Sequence, residues 1–100
     1  MSAAGEALAQ GLGRCLAAFP GWPILERAAS RAWASAGASG ERHQLALRMP
    51  GEAADALLDG LESREFDLDG YIVADVAAIA DERSGGQARL VIEALTIDSN

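Results

Sequence analysis

The stretch Tyr71 to Ile97, YIVADVAAIADERSGGQARLVIEALTI, carries the clearest local instruction in this 100-residue chain. Two β-rich runs, Tyr71 to Ala80 and Arg89 to Ile97, flank Ser84-Gly85-Gly86-Gln87. Paired glycines supply the positive φ angles of a two-residue turn, so the spacing predicts an antiparallel hairpin. Counting outward from Gly85-Gly86 sets Ile79 opposite Ile92, Ala77 opposite Ala94 and Asp75 opposite Thr96, all on one face. Ile72, Ala74, Val76, Ala78, Val91, Leu95 and Ile97 then occupy the other. Both faces are largely apolar, whereas a sheet wetted on one side alternates more sharply. Either the monomer covers both faces, or another copy covers one.

Upstream, Leu8, Leu12, Cys15, Leu16 and Phe19 recur in steps of three and four, which predicts a first helix from Ala3 to Phe19. Pro20-Gly21-Trp22-Pro23 ends it, because proline lacks a donor and restricts its predecessor. Residues 24–38 fit two templates. Leu25, Ala28, Ala29, Ala32, Trp33 and Ala36 suit a helix, while Ala32, Ala34, Ala36 and Ala38 alternate as in a strand. The strand is preferred because Ser39-Gly40-Glu41 reads as a turn and His43, Leu45, Leu47 and Met49 alternate directly after it. Past Pro50-Gly51, residues 52–64 predict a second helix with Ala54, Leu57, Leu58 and Leu61 on one face. The predicted fold is α+β: helix, hairpin, helix, hairpin, with an antiparallel four-stranded sheet and the helices packed on one face.

One hundred residues suit a single domain. Half of them are hydrophobic, but aromatics supply only 5%, so each buried position removes little apolar area and the core should be thin. Small domains of this kind gain from an interface, a metal or disulfides. A single Cys excludes an internal disulfide, which leaves assembly into a homodimer or other homo-oligomer. The net charge of -7 opposes contact with phosphate backbones, so no nucleic-acid partner is expected. No apolar run is long enough for a membrane span and the first residues lack a basic and an apolar signal region, so a cytoplasmic location is expected. All eight fixed cations are Arg, which together with abundant Ala reads as the codon bias of a GC-rich bacterial genome.

The segments Ser30 to Ala36, Gly40 to His43, Gly70 to Ile79 and Ile92 to Ile97 together resemble an uncharacterised family of small bacterial α+β proteins. The resemblance spans roughly residues 30 to 97 and implies no activity, cofactor or catalytic residue.

Few residues offer chemistry. His43 is the only His and follows Arg42, so the pair is a candidate for binding a carboxylate or phosphate, with the imidazole titrating near neutrality. Asp75, between Ala74 and Val76, is costly to bury without a partner, for which Thr96, Arg42 or an Arg of another subunit serve. Trp33 is a candidate pocket wall, although with so few aromatics both Trp22 and Trp33 suit the core. Cys15 reads as a buried thiol on the helix stripe. One His and one Cys on different elements give no zinc spacing, no glycine pattern makes a phosphate loop, and no serine sits in a nucleophile motif. Neither metal nor cofactor is expected. The reading that follows is a self-associating interaction or ligand-binding module. Its alternatives are a small-molecule binder or enzyme using Arg42, His43 and Asp75 beside Trp33, and an acidic accessory subunit of a larger complex.

Overall fold

The computed structural model describes residues 1–99. Its elements run α1 (Ala3–Arg14), β1 (Ile24–Ser35), β2 (Ala38–Pro50), α2 (Gly51–Leu58), a 3-10 turn (Leu61–Ser63), β3 (Tyr71–Ser84) and β4 (Gln87–Asp98). The four strands form one antiparallel sheet in the order β1-β2-β4-β3. Strands of 12 to 14 residues at about 3.3 Å each explain why the molecule is 45 Å long and only about half as wide.

Of residues 24–38, which fit helix and strand alike, 24–35 are extended as β1. The turn lies at Ala36-Gly37, not at Ser39-Gly40-Glu41, and both turn residues have positive φ, 44° and 87°. That is the two-residue geometry matched to strand twist, reached here with an Ala that pays steric strain. Gly40 belongs inside β2, where a Cβ would collide with the carbonyl oxygen of Thr96 on β4. The glycine that resembled a turn residue is thus a site of close backbone approach.

Both helices are shorter than the periodicity predicts. α1 is capped by Ser2, whose Oγ accepts from the Gly5 N–H at 3.0 Å, and stops at Arg14, just after Gly13 weakens it. Cys15 follows the helix, half-buried, its thiol donating to the Gly11 carbonyl at 3.3 Å. α2 ends at Leu58 because Gly60 turns left-handed at φ 69°. The Arg64 guanidinium then donates to the open carbonyls of Ala56 and Asp59, and Leu61 re-enters the core.

The β3–β4 turn is the expected Gly85-Gly86. From there the register departs from a simple count. Bulges skip Ile79 and Ala74, so Ala78 faces Ile92, Val76 faces Ala94, Asp75 faces Leu95 and Val73 faces Thr96. The first bulge flips the parity of β3 and the second restores it, so only Asp75 to Ala78 exchange faces. The expected pairing of Asp75 with Thr96 is overturned, with a physical reason: the flip sends Val76 into the core at 5% exposure and leaves the Asp75 carboxylate in water.

One cluster holds Leu8 and Leu12 of α1, Leu16 just beyond its end, and Ala53, Ala54 and Leu57 of α2, together with alternate residues of the central strands. β2 contributes Leu45, Leu47 and Met49, and β4 contributes Ala88, Leu90, Ile92 and Ala94. The intervening residues Arg42, Gln44, Arg48, Arg89, Val91 and Glu93 form the outer face of the sheet and take no part in that cluster. Trp22 packs against the core, whereas Trp33 stands half-exposed opposite Gly40.

Candidate functional site

His43 lies mid-strand on the core side of β2 and is 1% exposed. Its Nδ1 is 2.7 Å from Ser30 Oγ on β1, and its Nε2 is 2.7 Å from Thr96 Oγ1 on β4. Thr96 in turn donates toward the Glu41 carbonyl at 3.5 Å. A neutral imidazole satisfies this chain when Nε2–H donates to Thr96 and Nδ1 accepts the Ser30 hydroxyl. Burial pushes the His43 pKa below its ordinary value, and the nearby Glu41 carboxylate offsets only part of that. Gly5 of α1 lies over the node, a Cβ there reaching within 3.3 Å of Ser30 Oγ. The imidazole therefore links three strands beneath the helix; both ring nitrogens are committed, as in a satisfied polar core.

The register puts Ser30 opposite His43 once the turn is set at Ala36-Gly37. A turn at Ser39–Glu41 does not bring Ser30 to His43, so the sequence does not signal that partner, and the two-residue count pairs Thr96 with Asp75 instead.

The other proposed site residues fall elsewhere. Arg42, Asp75 and Trp33 belong to the outer face, where Arg42 and Asp75 flank Leu95 in one rank of side chains. His43 faces away from them. Asp75 is exposed and forms no ion pair among the described residues.

Around Arg42 the outer face is shallowly concave. A depression of about 260 Å3 there is lined by Ala29, Arg31, Arg42, Gln44 and Glu93. Arg31 and Arg42 stand directly opposite each other across β1 and β2. Like charges so placed repel, and neither forms an ion pair among the described residues. By contrast Glu26, in the β1 bulge, bridges Arg89 at 2.7 Å and Arg48 at 3.3 Å, and the Arg89 guanidinium holds its carboxyl below the ordinary range. No group of His, Cys, Asp and Glu able to hold a metal occurs among the described residues, and no helix is long and apolar enough to cross a membrane.

The chain matches no family model, no curated protein and no solved structure.

Proposed function

We propose that this chain is a single-domain, non-catalytic binding module that works as a homodimer, with both helices packed on one side of its sheet and a second copy on the other. The observation that carries this reading is the composition of the outer face. It gathers Ile72, 56% exposed, and the half-buried Trp33, Val91 and Ile97 around a Leu95 that the monomer already buries, on the side that takes no part in the core cluster. Five arginines and four carboxylates leave that face one net positive charge within a chain of net charge -7, so the acidic surplus lies elsewhere. Apolar residues with balanced charge are what a face needs to meet a copy of itself without repulsion. The acidic remainder also argues against a nucleic-acid partner, and a cytoplasmic setting fits the same reading.

Sedimentation at tens of micromolar tests it. The wild-type chain is expected to run as a dimer and Ile72→Glu as a folded monomer; a wild-type chain monomeric throughout overturns the reading.

The depression beside Arg31 and Arg42 favours a second reading, a site for a small anion such as a carboxylate or phosphate. It excludes the first, because a sheet packed over Arg42 closes the depression. Titrating phosphate while following the arginine side-chain NMR signals separates them.

A further inference from the structure

We infer that two copies of this chain pack outer face to outer face about a two-fold axis running along the strands, so that Arg31 of each copy meets Asp75 of the other. This rests on the reading of that face as a self-association surface and adds its geometry and its specificity.

Side chains on the outer face stand in ranks across β1, β2, β4 and β3. One rank runs Arg31, Arg42, Leu95, Asp75, and the rank beside it, toward the β1–β2 turn, runs Trp33, Gly40, Ile97, Ile72. Charge is polarised across these ranks. Arg27, Arg31 and Arg42 lie on the β1–β2 half and form no ion pair among the described residues. Asp75, Glu82 and Glu93 lie on the β4–β3 half. Arg89 and Arg48, the remaining cations, share the single Glu26 carboxylate, which offsets one of their two charges.

A face divided in this way is complementary to itself under one symmetry and not under another. A two-fold axis along the strands lays β1 over β3 of the second copy and β2 over its β4, keeping every rank over its own counterpart. Arg31 then covers Asp75, Trp33 covers Ile72 and Ala29 covers Ala77, in both halves at once, as an isologous contact requires; Arg48 falls over Arg89, a like-charge contact tempered by the Glu26 carboxylate that both share. A two-fold axis across the strands lays β1 over β1 and reverses the ranks. Centred on the rank of Ala29, it stacks Arg31 on Arg27 of the second copy and leaves Asp75 over Ala80. Like charges brought together out of water disfavour that arrangement.

Five ranks at about 6.8 Å and four strands at about 4.8 Å outline roughly 650 Å2 on each copy, so a dimer hides at most about 1,300 Å2, at the lower end of stable interfaces. Association through the sheet edges is the less suited route: β1 carries one bulge and β3 two, and both present charged side chains along the edge.

The test uses the full chain, with Arg31→Asp and Asp75→Arg prepared singly and mixed in equal amounts. Both positions are exposed, and circular dichroism checks that each variant is folded. Sedimentation velocity should show the wild-type dimer, each single variant weakened by about tenfold or more, and a heterodimer recovered in the mixture. Recovery is expected because both crossed contacts in the mixed pair again join opposite charges. Dimers unaffected by either reversal, tightened by Arg31→Asp, or not rescued by mixing overturn this geometry while leaving a sheet-face dimer standing. A wild-type chain that stays monomeric removes the underlying reading as well.

Discussion

A buried imidazole that bridges two hydroxyls sets the pH response of this protein at one position. Charging His43 in the fold means placing a cation among groups already committed to a neutral ring, so its folded pKa lies below the 6.5 at which the unfolded chain takes up the proton. Between those two values the unfolded state holds more protons, and stability therefore rises with pH. The contribution is fully present above about pH 6.5 and drains away as pH falls through the folded pKa. Urea midpoints measured from pH 7.5 down to pH 5 should drop more steeply for the wild type than for His43→Gln. Parallel slopes would show that the ring is not held neutral by the fold.

At the scale of elements, the first hairpin depends on two small residues with opposite demands. Ala36 sits at φ 44°, where a side chain is strained, so Ala36→Gly should raise stability by about 1 kcal/mol. Gly40 sits against the Thr96 carbonyl, so Gly40→Ala should cost about 2 kcal/mol or more, since the obstacle is backbone. Thermal melts of the two variants should move in opposite directions. The same pair explains what the sequence could and could not disclose. Gly85-Gly86 advertised its turn because glycine is the residue such a turn prefers. Ala36-Gly37 did not, and the nearby Ser39-Gly40-Glu41 carried a stronger turn signature while lying inside a strand. From that one displacement followed the missed contact between Ser30 and His43. The bulges at Ala74 and Ile79 were hidden for a different reason: in a run of Ala, Val and Ile both parities look apolar, and only the fate of Asp75 chooses between them. Helix positions were legible from their stripes of Leu, but their ends were not, because Gly13 and Gly60 interrupt the pattern sooner than the apolar spacing does.

For the molecule as a whole, the proposed dimer, joined through an outer face that carries Trp33, Ile72 and Ile97, would tie stability to assembly. Partner binding to the folded state alone adds stability in proportion to the logarithm of concentration. The midpoint of thermal unfolding should therefore climb by several degrees between about 1 and 100 micromolar chain, and a midpoint independent of concentration would speak for a self-sufficient monomer. The strand order carries a further consequence. Each hairpin closes locally, but the seam between β2 and β4 joins partners from 37 residues apart, Pro50 and Gln87, to 57 apart, Gly40 and Ile97. Zipping that seam demands the entropy of a long loop before any reward arrives, so the search for it, and not the formation of either hairpin, governs how fast the chain reaches its native state.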